Sequence, residues 1–287
     1  MTRTLERADQ LQSSWEADDV HDLRVALRRC RTMAEALGEV YPDPGWRKVK
    51  KTSRALFHAL GELRDTQVER GWVKKLAPAG SAPRRHMLRT LALRERGLKE
   101  NAVKALDRFD RKEWKKLDRK LDPKARFFPL ESVVFQRLAL ARLNEAVQLY
   151  EQARKRRSTA AWHRLRIGIK AFRYVVENFL PQHYQAWAND LKKCQDLLGE
   201  LHDLDVLRID LRRNAVSLDT KIVSDWIAGI DRARKLRIAE FAALVSGPKS
   251  LWTAWRSGFQ LAAASPQLFQ SAMPATQSAL ASPRSAA

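Results

Sequence analysis

The chain has 287 residues, 45% of them hydrophobic, and 54 Lys and Arg against 33 Asp and Glu give it a formal net charge of +21. That length suits one large domain or two small ones, and the apolar fraction is enough to build real cores. So much like charge in one folded body repels itself, which points to a polyanionic partner: nucleic acid, an anionic membrane surface or a phosphate polymer.

Only 11 Gly and 11 Pro occur, and Leu, Ala, Arg, Lys and Glu dominate, which favours helix throughout. The apolar periodicity predicts eight helices, near 4–38, 45–74, 83–109, 130–157, 158–180, 184–213, 219–245 and 248–261. Pro42 and Pro44 end the first, Pro78 with Gly80 and Pro83 the second, and Asp122-Pro123 with Pro129 interrupt before the fourth. Ser158-Thr159 is the capping signal between the fourth and fifth, Pro181 ends the fifth, and Gly247-Pro248 parts the last two. Residues 262–287 are low in complexity and read as a disordered tail. The polar N-terminus is no secretory signal, and no stretch has the ~20 apolar residues of a membrane span. Cys30 and Cys194 make no disulfide framework, which suggests a reducing, cytoplasmic setting.

One pattern occurs twice. Residues 20–37 read VHDLRVALRRCRTMAEAL and residues 162–179 read WHRLRIGIKAFRYVVENF. The match pairs His21 with His163, Arg24 with Arg166, Arg28 with Lys170, Arg31 with Arg173 and Glu35 with Glu177. A second pair follows, LGELRDTQV at 60–68 and LGELHDLDV at 198–206. The chain therefore reads as an internal duplication, with a first four-helix repeat at about 4–157 and a second at about 158–261.

On a helical wheel His21, Arg24, Arg28, Arg31 and Glu35 span an arc of roughly 80°, beside the apolar stripe of Leu23, Leu27, Cys30, Ala34 and Leu37. Arg47, Lys51, Arg54 and His58 form another row, of which the second copy keeps Lys192. A solvated face with Glu35 and Glu177 in intrahelical pairs is the plain reading of one such helix. Repetition of the whole spacing argues for a constraint, and one glutamate cannot neutralise three cations.

HDLRVALRR, HRLRIGIKAFRY and the two LGE-x-x-D segments resemble the signature helices of the CHAD family, the conserved histidine α-helical domain, over roughly residues 4–261. The resemblance implies an all-α fold of two four-helix bundles related by pseudo-twofold symmetry. It also implies a central basic cavity or groove that binds inorganic polyphosphate, and association with polyphosphate granules. The Glu-x-Glu-x-Lys start of the catalytic domain that some members carry is absent, so the chain resembles the stand-alone, non-catalytic form.

Mapped onto the motif, binding falls to His21, Arg24, Arg28 and Arg31 with His163, Arg166, Lys170 and Arg173, and then to Arg47, Lys51, Arg54 and Lys192. Arg chelates phosphate oxygens through a rigid fork, and cations three and four residues apart on a helix stand ~5–6 Å apart, which can track successive phosphates. The two histidines are phosphate ligands, structural groups or phosphoacceptors, Asp65 and Asp203 orient neighbouring cations or cap local backbone, and Tyr174 is either a donor or core. No cofactor is expected, and no metal either, since the His58–Glu62 spacing stands alone. RKEWKKLDRK at 111–120 and ARKRR at 153–157 read as solvated faces, with Trp114 the one hint of base stacking. The alternatives are charge-driven nucleic-acid binding and, third, an enzyme acting on polyphosphate.

Overall fold

A computed structural model describes residues 1–77, 79–127, 129–214 and 220–259, so the expected tail at 262–287 lies outside the described residues. Among them the fold is all-helical, with eleven helices: α1 Thr2–Ser13, α2 Ala17–Val40, α3 Pro44–Thr52, α4 Arg54–Leu76, α5 Ala82–Asp107, α6 Arg111–Arg126, α7 Val133–Arg156, α8 Thr159–Phe179, α9 Pro181–Asn214, α10 Thr220–Val245 and α11 Leu251–Gly258. No described helix is long and apolar enough to cross a membrane.

Three differences from the sequence reading raise eight helices to eleven. The predicted helix 4–38 breaks at Ser14 and Glu16, both extended, so α1 folds back onto α2. A single straight helix would leave Ala8 and Leu11 in solvent, and both are fully buried instead. The predicted helix 45–74 breaks at Ser53, whose buried hydroxyl donates to the Val49 carbonyl at 2.7 Å. The charge run at 111–120 is itself a helix, α6, which runs through Pro123 to Arg126. Asp110 accepts from the Glu113 amide at 2.8 Å to start it, and a proline so close to the end forfeits only one ladder bond.

Other boundaries follow local chemistry. Asp43 accepts from the Gly45 amide at 2.6 Å with Pro44 at the first turn of α3. Arg157, left-handed at φ 52°, ends α7, and the Ser158 hydroxyl accepts from the Ala161 amide at 3.3 Å to start α8. That pair of residues is the whole link between the predicted fourth and fifth helices.

The main core runs through both halves of the chain, from Ala8 to Phe259. It includes Trp114 and Trp255 with no exposed surface. Burying such aromatics contributes on the order of 2–3 kcal/mol each. A smaller core joins Val73, Met87 and Leu91 to Leu204, Leu207, Leu211, Trp226 and Ile230, so α4 and α5 pack against α9 and α10. Polar ties accompany both packings: Arg94 of α5 donates to Asp210 of α9 at 2.7 Å, and Arg29 of α2 to Glu177 of α8 at 2.8 Å.

Candidate functional site

The two histidine helices, α2 and α8, pack side by side. The helices with the LGE segments flank them, α4 on α2 and α9 on α8, and α4 also touches α9. Four of the predicted cations meet at this junction: Arg24 and Arg28 from α2, Arg166 and Lys170 from α8, each close enough to shift the ionisation of others in the group.

Aromatic faces and the motif glycine hold them. The Arg24 guanidinium carbon is 5.0 Å from the Phe57 ring centre, and a Cβ on Gly61 would stand 3.4 Å from its Nη1. The first LGE glycine therefore leaves room for the arginine; Gly199 of the second copy has nothing against it. Arg28 lies over the Tyr174 ring at 5.3 Å, across the α2–α8 seam. Two carboxylates face the group, Asp65 from α4 and Asp203 from α9, and Asp203 also accepts from the Trp72 indole at 3.3 Å.

The electrostatics are unbalanced. Burial pulls the Arg24 and Arg166 guanidinium groups below their ordinary value, against the opposing pull of Asp65 and Asp203. Burial, with Arg166, Arg28 and Arg24 around it, brings the Lys170 amine down to about 7. Nε of Arg28, Nε of Arg166 and the Tyr174 hydroxyl are buried with no hydrogen-bond partner in the protein. Three unfilled donors thus belong to residues of the cluster where positive charge is concentrated.

The histidines differ between the copies. His163 and His202 face each other across α8 and α9 with their Nδ1 atoms 3.3 Å apart, a contact in which one ring donates and the other accepts. Burial first, then Arg166, hold the His202 imidazole down to about 4, and burial with Arg166 lowers His163. His21 is exposed and is lowered by partial burial, Arg64 and Arg28. Arg64 and His202 occupy the same position of the two LGE segments, so each motif histidine feels the residue at that position of the neighbouring motif, by field in the first copy and by contact in the second. The sequence reading missed both partners. The signal was present at the second x of LGE-x-x-D, where one copy has a guanidinium and the other an imidazole.

The remaining predicted residues are engaged outside the cluster, although Arg31 shares the Phe57 ring with Arg24, 4.9 Å from its centre. Arg31 turns toward α3 and donates to the Lys50 carbonyl at 2.6 Å and the Ser53 hydroxyl at 3.0 Å. Arg173 pairs with Glu177 at 3.4 Å and donates to Gln195 at 3.1 Å. Glu35 is not in an intrahelical pair but bridges to Lys50 at 3.0 Å. Lys192 is exposed and paired with Asp196. Lys51, Arg54 and His58 line an open surface groove on α3 and α4, and Arg47 is exposed on α3. His58 and Glu62 are 3.6 Å apart, and among the described residues no group of three or more His, Cys, Asp or Glu could hold a metal ion. Cys30 and Cys194 are free thiols. Trp114 is buried, with its indole donating to the Met1 carbonyl at 3.3 Å, so it offers no face for a base.

Comparison with known proteins places this arrangement. No curated protein matches the sequence. The fold is similar to the crystal structure of the CHAD domain from the plant Ricinus communis, with a TM-score of 0.59 and 19% sequence identity, covering 90% of this chain and 86% of that one. The sequence matches the CHAD domain family over residues 2–212, which take in both histidine helices and both LGE segments. The chain belongs to the CHAD domain family.

Proposed function

We propose that the protein binds inorganic polyphosphate, without turning it over, at the junction of α2, α8, α4 and α9. The observation that carries this reading is the convergence of Arg24, Arg28, Arg166 and Lys170 with three buried, unfilled donors on Arg28, Arg166 and Tyr174. A phosphate polymer presents a charge on every unit and no bases, so its recognition rests on cations and geometry. Arginine forks and a lysine in one cluster suit adjacent phosphates. His21 and His163 border this site, while Arg31 and Arg173 support it from behind through their protein partners.

The reading includes an internal duplication with pseudo-twofold symmetry. It is supported by the repeated sequence and by the placement of Arg64 near enough to lower His21, where His202 in the equivalent position contacts His163. Because α1 packs on α2 as α7 packs on α8, the join is drawn best between α6 and α7, before the 157/158 boundary expected from the sequence. Association with polyphosphate granules in the cytoplasm belongs to the same reading. A fluorescent fusion that stays diffuse in cells with stained granules would count against it.

The test is a titration with long-chain polyphosphate at physiological salt, with duplex DNA as competitor and phosphate release followed in parallel. The variant Arg24→Glu, Arg28→Glu, Arg166→Glu, Lys170→Glu, checked for helix content by circular dichroism, is expected to lose at least about a hundredfold in affinity. Equal displacement by DNA would return the charge to nucleic acid. Phosphate release would make the protein an enzyme. Unchanged binding in a folded variant would move the site elsewhere.

A further inference from the structure

The central junction accounts for few of the 54 basic residues. The densest remaining cluster is on α6. Its apolar residues Trp114, Leu117 and Leu121 are buried against the core, and Lys112, Lys115, Lys116, Arg119 and Lys120 are all exposed. On a helical wheel the five cations fill an arc of roughly 140° directly opposite the apolar stripe. They run about 12 Å along the helix.

Among the described residues none of the five side chains has an ion pair or a hydrogen bond, and four nearby carboxylates are engaged elsewhere. Asp118 holds the chain amino group, Asp9 holds Arg111, Asp122 holds Arg126, and Asp43 holds Lys124. Lys112 with Lys116, Lys115 with Arg119, and Lys116 with Lys120 are like-charged pairs one turn apart, which work against the helix. Arg111 and Lys112 also sit in the first turn, where the helix dipole disfavours cations. The basic end of α7, Arg154, Lys155 and Arg156, suits its dipole and needs no ligand. Packing does not require the charge on α6 either: α11, half the length of α6, buries Trp252 and Trp255 while carrying Arg256 alone.

The neighbouring surface extends the row. α6 packs on α3, whose Arg47, Lys48 and Lys51 are exposed, and α3 packs on α2, the helix of Arg24 and Arg28. On α6 and its cap the exposed apolar side chains are Pro123 and Phe127, and one proline and one aromatic make neither a face to enter a bilayer nor a row of platforms for bases, so the row of cations fits an extended phosphate polymer best.

We infer that the outer face of α6, continued by α3, is a second anion-binding surface, which engages the part of a long polyphosphate chain that extends beyond the central junction. It rests on the polyphosphate reading and adds that the protein discriminates chain length through this surface. A short chain fills the junction alone; a long one gains a tethered second contact, at high effective concentration.

The test uses the full chain with Lys112→Gln, Lys115→Gln, Lys116→Gln, Arg119→Gln and Lys120→Gln, a set that keeps helix propensity. The double variant Lys116→Gln, Lys120→Gln is a fallback if the fivefold one misfolds. Affinities are measured for tripolyphosphate and for long-chain polyphosphate across a salt series. The expected result is unchanged tripolyphosphate binding, roughly tenfold or greater loss for the long chain, and a shallower salt slope. Long-chain affinity and slope equal to those of the unmodified protein would overturn the inference while leaving the junction intact. Equal losses for both ligands would also overturn it, since α6 would then act only through the overall field. If the unmodified protein binds neither polymer, it is the polyphosphate reading that fails.

Discussion

Arg28 of α2 lies over the ring of Tyr174 of α8, 5.3 Å from its centre, while the buried Tyr174 hydroxyl has no protein partner. The ring secures the guanidinium, and on the polyphosphate reading the hydroxyl is a donor left for the ligand. Tyr174→Phe should therefore leave thermal stability unchanged or slightly raised, because it removes a buried polar group without a bond. Polyphosphate affinity should fall by about tenfold, the value of one hydrogen bond to a charged group. Calorimetry on the two proteins checks both halves, and unchanged affinity would make Tyr174 a core residue.

Arg31 behaves in the opposite way. Its bonds to the Lys50 carbonyl and the Ser53 hydroxyl tie α2 to the end of α3. Arg31→Ala should cost about 1–3 kcal/mol in chemical denaturation and change polyphosphate affinity by less than about threefold. A loss of binding without a loss of stability would restore Arg31 to the site.

Affinity for polyphosphate should rise as pH falls from 8 to 6. Lys170 is brought to about 7 and His202 to about 4, with His163 also lowered, so the empty site holds fewer protons than its groups would in water. The surroundings are Arg166 on the same helix, Arg28 and Arg24 from α2, Asp65 from α4 and Asp203 from α9. An arriving anion raises these ionisations, protons are taken up, and binding strengthens toward acid. Kd measured at constant ionic strength should lose most of its slope near pH 7 in Lys170→Arg and its acid portion in His163→Gln, His202→Gln. A flat profile in the unmodified protein would show that the anion leaves these groups untouched.

Lys170 also makes a prediction for the empty protein. Its folded value of about 7 lies below the 10.5 of the free amine, so between these values the unfolded chain holds the extra proton. Stability from this group is therefore greatest at high pH, is lost as pH falls from 10.5 to about 7, and is level below that. Lys170→Met should be more stable at pH 7, by on the order of a few kcal/mol, and should show a smaller gain between pH 7 and 9.

Glu69 supplies the reverse slope away from the site. It is 4% exposed between α4 and α9, and burial with the neighbouring Asp210 carboxyl raises it to about 8, even with Arg94 bridging both. Between 4.5 and 8 the folded state keeps a proton that the unfolded chain has lost, so stability falls as pH rises through that window. Glu69→Gln should match the unmodified protein near pH 4.5 and exceed its melting temperature at pH 8. Parallel melting curves at both values would refute this.

Much of the site was legible in the sequence because it is written in one helical period. The spacing of Arg24 and Arg28, repeated by Arg166 and Lys170, puts charge beside each apolar stripe whatever the two helices pack against. The LGE segments were legible as motifs, and Gly61 proves to be the floor under Arg24. Arg31 and Arg173 share that period but not that fate, since a long side chain at the edge of a stripe takes whichever acceptor lies within reach, and the carbonyl of Lys50 and the amide of Gln195 come from elsewhere in the chain. The turn at Ser14, the break at Ser53 and the passage through Pro123 were misread for a related reason: each local signal is weak, and the burial of Ala8, Leu11 and Trp114 outweighs it.

By itself the sequence determined an all-helical chain, its strong positive charge, two copies of a basic histidine helix and membership of the CHAD family. Periodicity and composition act within single helices and need no knowledge of their neighbours. Only the tertiary structure decided that α2 and α8 lie against each other, that four cations gather there with two acids and three unfilled donors, and that His163 meets His202 while Arg64 comes near enough to His21 to lower it. Those relations join residues far apart in the chain, and they arise because burying the apolar stripes of both halves in one core forces the charged stripes beside them into the same space.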